Sequence, residues 1–303
     1  MRFAYNEYAY QWSFPEIVAA RFNLFEQADL DVDVSSFVPE KGVRKNAAYA
    51  SLLKSGRSDL YHAGEWACII RVSQDSTSCI VAASTPGFKT LNSTFSIYVR
   101  KDSGIDRPEH LADRKIAVEE DTGSYFTAMQ DLRRFLHKSQ IRLVQVGSPH
   151  LRFLSLFRGE VDAASLIHPW TDLAKEMGFV ELVRTDRKNP TLAVSNRELQ
   201  LYELRSFFHA VNQAIKMINQ PTDEVRTLYS QLFLKVCSEL PAEIRAAADV
   251  ISNDIEPPKW EFWQSYRIEQ FESAISLLRD FSFELPNVSF GNLIHPRIKD
   301  IFS

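Results

Sequence analysis

The sequence predicts an α/β protein built from two similar lobes, with a run of helices closing the chain. Three observations carry this. Residues 115–136, KIAVEEDTGSYFTAMQDLRRFL, read as strand, tight turn and helix. Ile116, Ala117 and Val118 form the short buried strand, and Thr122, Gly123 and Ser124 the turn. From Tyr125 the apolar residues Phe126, Met129, Leu132 and Leu136 fall at helical spacing. Second, a "helix, glycine, acid, strand" step occurs at Gly56–Asp59 and again at Gly159–Asp162. Two such copies about a hundred residues apart are a weak repeat, as expected of two related α/β units. Third, strand signals stop after Thr191–Ser195, and from Glu198 the spacing is helical.

Taken in order, residues 2–5 are a first strand, followed by the aromatic loop NEYAYQWSF at 6–14. Pro15 suits the first turn of a helix, and Ile17, Val18 and Phe22 give that helix an apolar face. Residues 31–37 alternate, with Val32 and Val34 between acids, as a half-buried strand does. Residues 39–46 form a polar, basic loop, 47–54 a helix, and 58–66 (SDLYHAGEW) a buried strand running into a loop. Residues 80–83, 96–100, 143–146 and 161–166 are further strands. Leu204, Phe208, Val211, Ile215 and Ile218 share one helical face that ends before Pro221. Residues 223–236, 241–250 and 260–281 read as three more helices, the last carrying Trp263, Ile268, Phe271, Ile275 and Leu278. The tail from 284 to 303 has no clear periodicity.

The sequence of strand, Gly-Ser turn, helix, strand, helix and then G-E-V-D-A-A at 159–164 resembles the second lobe of periplasmic-type solute-binding proteins. The branch it is most similar to holds the sulfonate-binding and thiamine pyrimidine-precursor proteins. In that family the step at 23–34 carries two glycines. Here they are Asn23 and Asp29, residue types that tolerate a left-handed backbone. The resemblance implies a type II two-lobe fold with a hinge and a helical C-terminal cap. Lobe one would be residues 1–95 and 196–303, and lobe two residues 96–195. Two strands crossing near 96 and 191 would form a hinge that closes around ligand.

The resemblance implies a ligand held between lobes by loops at the carboxyl ends of strands, as open α/β sheets generally do. Five loops qualify, and they place the candidate ligand-binding residues Tyr10, Trp12, Ser13, His62, Glu65, Trp66, Thr122, Gly123, Ser124, Tyr125, His168 and Trp170. The aromatics would be flat walls with polar tips. The turn at 122–124 offers N–H and hydroxyl groups to a carboxylate, sulfonate or phosphate, or simply caps its helix. His62 and His168 could donate to a ligand, and Glu65 could meet an amine or be a solvated loop acid. The remaining histidines (110, 137, 150, 209 and 295) read as surface or capping residues. Lys41, Arg44 and Lys45 read as a solvated basic face.

Several classes are disfavoured. The formal net charge of -4 gives no nucleic-acid footprint. No run approaches the ~18 apolar residues of a membrane helix, so no membrane insertion is expected. Cys68, Cys79 and Cys237 form no CxxC pair and read as buried free thiols. No cofactor and no metal site are expected, because no His/Asp/Glu cluster at ligand spacing accompanies either mouth histidine. GxSxG, P-loop and GxGxxG signatures are absent, so no catalytic residue is assigned. The iron-binding C-C-C-F-C motif of thiamine-precursor synthases is absent too, and no pattern selects the desulfinases or chorismate-type dehydratases of this fold. The expected function is binding of a small anionic or aromatic metabolite, as the substrate-binding component of an ABC-type uptake system. An ABC transporter permease is then the implied partner. The alternative is an intracellular enzyme or sensor on the same fold, thiamine-precursor-like or lyase/decarboxylase-like. MRFAYNEY has no apolar signal core, which reads as cytoplasmic as written, or as periplasmic or extracellular if the chain is a mature form.

Overall fold

The computed structural model describes residues 1–39, 45–87, 95–185, 188–281, 283, 285 and 288–303, with the side chains of 45 and 46 left aside. Lys41, Arg44 and the Lys45 side chain of the expected basic face lie outside the described residues. The chain divides into two compact units. The first is Met1–Pro86, Asn189–Gln220 and Trp260–Ser303; the second is Gly87–Lys188 and Pro221–Lys259. The chain therefore passes between units four times. Residues 221–259 group with the second unit, whereas the resemblance assigned 196–303 as a block to the first.

Each unit is organised on a five-stranded sheet of the same plan. In the first, the order is Asp33–Phe37, Arg2–Asn6, Leu60–Gly64, Thr191–Asn196, Ser78–Ser84. The first three strands are parallel, and Thr191–Asn196 runs antiparallel to both of its neighbours. This is the strand expected to return to lobe one. In the second unit the order is Arg142–Gln145, Lys115–Val118, Ala163–Leu166, Ser96–Val99, Val180–Arg184. Ser96–Val99 is the antiparallel insert here. The central strands are buried on both faces, which explains their continuous apolar runs.

The turns obey local chemistry. Asn23 and Asp29 adopt φ of 55° and 53°, the left-handed backbone that the family's glycines supply. Gly159, at φ 71°, ends the helix Pro149–Phe157 and turns the chain toward Ala163–Leu166. The long helix Leu201–Asn219 buries Leu204, Phe207, Phe208, Val211, Ile215 and Ile218 on one face.

One helix is shorter than its pattern suggested. It spans Ile268–Asp280, while Trp260 and Trp263 sit in an extended stretch before it. Two asparagines on the long helix hold that stretch. Asn212 accepts the Trp263 N–H at 2.8 Å and donates to its carbonyl at 3.2 Å. Asn219 does the same for Trp260, at 2.8 Å each way. The side-chain amides serve one edge of the stretch while its other edge pairs with residues 83–87, so aromatic residues that mimic helical spacing need no helix. All three cysteines are buried and free.

Candidate functional site

The first unit's candidates start where Arg2–Asn6 ends. Asn6 accepts the Tyr8 N–H at 3.0 Å and turns the chain into a 3-10 helix, Glu7–Trp12. The expected loop is therefore helical. Tyr10 and Ser13 are buried in it, and Trp12 is half-buried. The Ser13 N–H closes the turn on the Tyr10 carbonyl at 2.8 Å.

His62 is not on a loop. It lies inside the strand Leu60–Gly64, fully buried, with Nε2 2.9 Å from Glu16 Oε2. Its ring sits 5.3 Å from Phe3 and 5.4 Å from Trp263. The sequence reading missed Glu16. Its signal is a carboxylate between Pro15 and Ile17 on a helix whose first six residues are all buried, since buried acids are kept only with a partner.

Glu65 and Trp66 open the helix Glu65–Ser73, both buried. Glu65 is thus not a solvated loop acid. Burial pushes its carboxyl up to about 7, and the Tyr266 hydroxyl, donating at 2.7 Å, opposes that only in part. The unfolded value is near 4.3, so the folded protein holds the extra proton between those limits. The associated stability is present below the unfolded value and is lost as pH rises to about 7. Glu65→Gln keeps an acceptor for Tyr266 without a charge. Its apo stability should gain on the wild type by on the order of 3 kcal/mol between pH 4.5 and pH 8. Urea melts at both pH values check this; parallel curves would refute it.

The second unit's candidates gather at the step from Lys115–Val118 to the helix Gly123–Leu132. The helix stops at Leu132 rather than Leu136. Thr122 and Ser124 do not cap it in the usual sense. Thr122 Oγ1 donates to the Glu119 carbonyl at 2.7 Å, and Ser124 Oγ accepts the Glu119 N–H at 2.9 Å. Both hydroxyls thus brace residue 119, and the N–H groups of Gly123 and Ser124 have no acceptor among the described residues. A Cβ at Gly123 would stand 3.0 Å from the Phe95 ring, so a larger residue would require that ring to shift. Tyr125 is half-buried beside it.

Behind this turn lies Arg152, which the sequence reading also missed. Its guanidinium is buried and donates to Ser165 O and Gly147 O at 2.7 Å each and to Ser124 Oγ at 3.4 Å. Glu119 Oε2 is 4.0 Å away. Burial pulls the Arg152 pKa down to about 10, against the pull of Glu119, which leaves it a cation at neutral pH. An arginine on the buried stripe of Pro149–Phe157, beside Phe153 and Leu156, is the signal that was available. Its neighbour His150 is buried as well, not on the surface, and burial with Arg152 pushes it down to about 4.

His168 and Trp170 are structural in this arrangement. Both ring nitrogens of His168 are engaged, Nδ1 with Asp172 at 2.7 Å and Nε2 with the Glu256 carbonyl at 2.8 Å. Tyr229 stacks on the ring at 5.7 Å. Trp170 has no exposed surface and packs against Phe153 and Phe233, at 5.6 and 5.5 Å. It is a core residue of the second unit rather than a wall on an open loop. Among the described residues no cluster of His, Cys, Asp and Glu could hold a metal ion, and no helix is long and apolar enough to cross a membrane.

No family model matches the sequence, and no curated protein matches it. Solved structures do. The periplasmic aliphatic sulphonate binding protein SsuA from Escherichia coli aligns with a TM-score of 0.70 at 16% identity, covering 97% of this chain and 91% of that one. The alkanesulfonate-binding protein SsuA from Xanthomonas axonopodis pv. citri, bound to MOPS, aligns at 0.72 and 15%, covering 99% and 97%. The desulfurization enzyme DSZB aligns at 0.57 and 13%, covering 98% and 96%. The chain therefore has the α/β fold of the periplasmic binding proteins.

Proposed function

We propose that this chain reversibly binds a small metabolite carrying an oxyanion at the turn 122–124 of its second unit, and that it serves as a solute-binding component of an ABC-type uptake system. One observation carries the reading. Two free N–H groups at the start of a ten-residue helix stand next to a buried arginine wired to the same serine. The helix dipole and the guanidinium both favour a negative group there. Tyr125, half-buried beside this turn, is an aromatic that suits the ligand's body. The likeness to sulfonate-binding proteins supports a sulfonate or a similar oxyanion, and it makes a membrane permease the implied partner. The desulfurization enzyme DSZB has a similar fold, so turnover of the bound compound is the rival outcome of the test.

Titrating the protein with methanesulfonate, methylphosphonate and acetate tests this. At a hundred times its dissociation constant a bound anion adds about 2.7 kcal/mol of stability, which a thermal shift resolves. Mass spectrometry should recover the compound unchanged. Absence of any shift overturns the anion reading, and turnover moves the chain into the enzyme class.

A further inference from the structure

Ser78–Ser84 is the outermost strand on one side of the first unit's sheet, yet all seven of its residues are buried. A bare edge strand offers its free N–H and C=O groups to other chains, and here residues 260–266 cover it. Ala83 and Gln264 exchange backbone hydrogen bonds of 2.8 and 2.9 Å, and the Glu261 N–H donates to the Thr85 carbonyl at 3.0 Å. Every third side chain of the stretch is buried, namely Trp260, Trp263 and Tyr266, while Phe262 and Gln264 are exposed. Titratable groups lie beneath it. Trp263 packs on His62, whose Nε2 is 2.9 Å from Glu16 Oε2. The Tyr266 hydroxyl donates to Glu65 Oε1 at 2.7 Å. Phe271 and Phe290 wall the Tyr266 ring and bring no charge. On the helix of Glu65, burial pushes the Cys68 thiol up to about 11, so it stays neutral. Arg71 on that helix is held over the rings of Tyr49 and Tyr61, at 4.9 and 5.1 Å.

We propose that residues 260–266 are a strap that opens on its own from the sheet edge, latched by the hydrogen bond between Tyr266 and Glu65, and that the latch loosens when Glu65 gives up its proton. A neutral carboxyl under the strap costs little, whereas a carboxylate there has exchanged water for protein. Lifting the strap returns it to water. With the strap closed the group titrates near 7, and with it open near the ordinary value of about 4.3. Closing therefore takes up a proton between those limits. The stability this gives the closed form is complete below the lower limit, is lost as pH rises to about 7, and changes no further above it. The strap can lift without parting Arg2–Asn6 from Leu60–Gly64, which pair with each other.

Native-state hydrogen exchange on the full chain, corrected for the intrinsic pH dependence, tests this. The amides of Ala83, Glu261 and Gln264 should exchange faster than that of Asp59, which donates to the Arg2 carbonyl at the amino end of Leu60–Gly64. Their protection should respond only weakly to low urea, the mark of a small local opening. Between pH 5 and pH 8 it should fall together, by about fiftyfold. Glu65→Gln should flatten that profile. Tyr266→Phe should move the fall to higher pH, because losing the donor leaves the Glu65 proton more tightly held. Strap amides that match Asp59 in protection and in urea response overturn the proposal, since the edge then opens only with the whole unit. A flat wild-type profile overturns it as well. So does a slope that persists in Glu65→Gln, which would assign the pH dependence to His62 and Glu16 beneath Trp263.

Discussion

Trp170→Ala should melt far below the wild type, with a loss of about 3–5 kcal/mol, the range for cutting a large buried aromatic to a methyl group. The indole has no exposed surface and is walled by Phe153 on its own segment and Phe233 from the helix Asp223–Cys237. The vacated space cannot collapse without moving both rings. Urea denaturation of the unliganded protein measures the loss. An unchanged midpoint would return Trp170 to the ligand-facing role that its loop position suggested. Trp12→Ala is the control: the ring is half-buried, so less packing goes with it.

Arg152→Met should be comparably severe, by about 3–5 kcal/mol, and should also abolish oxyanion binding. Methionine fills the stem's volume but leaves Ser165 O and Gly147 O without the donor each now has, and removes the buried cation 4.0 Å from Glu119. Pairing the change with Glu119→Gln should restore part of the stability, because it removes the charge left behind, yet restore none of the binding. Arg152→Lys should fall between, keeping the charge and losing the planar fork that reaches three acceptors. Chemical denaturation and anion titration on the three variants measure both quantities. Full binding by Arg152→Met would show that the guanidinium only props the turn.

What the sequence made legible was local. The step from Lys115–Val118 into Gly123–Leu132, the left-handed turns at Asn23, Asp29 and Gly159, and the returning strand Thr191–Asn196 each follow from residues within a dozen positions. What stayed hidden depends on partners far apart in the chain. Nothing near Glu16 announces His62, and nothing near Glu119 announces Arg152. Trp170 looked available because it follows the end of the strand expected over 161–166, whereas Phe233, which covers it, lies beyond an intervening segment of the other unit in sequence. Residues 260–263 looked helical because two tryptophans at a three-residue step mimic one turn. The amides of Asn212 and Asn219 that hold them extended are 51 and 41 residues upstream of Trp263 and Trp260.

During synthesis the second unit is finished first. Its last residue is Lys259, while the first unit begins at Met1 and lacks its final segment until Ser303 emerges. The strands Leu60–Gly64 and Ser78–Ser84 have no bond to each other until Thr191–Asn196 arrives to sit between them. At ordinary elongation rates that interval lasts on the order of ten seconds. Two apolar strand edges stand open on the ribosome for that time, templates for pairing with a neighbouring chain. The yield of this protein in a cell should therefore depend on holdase chaperones acting on its first 86 residues.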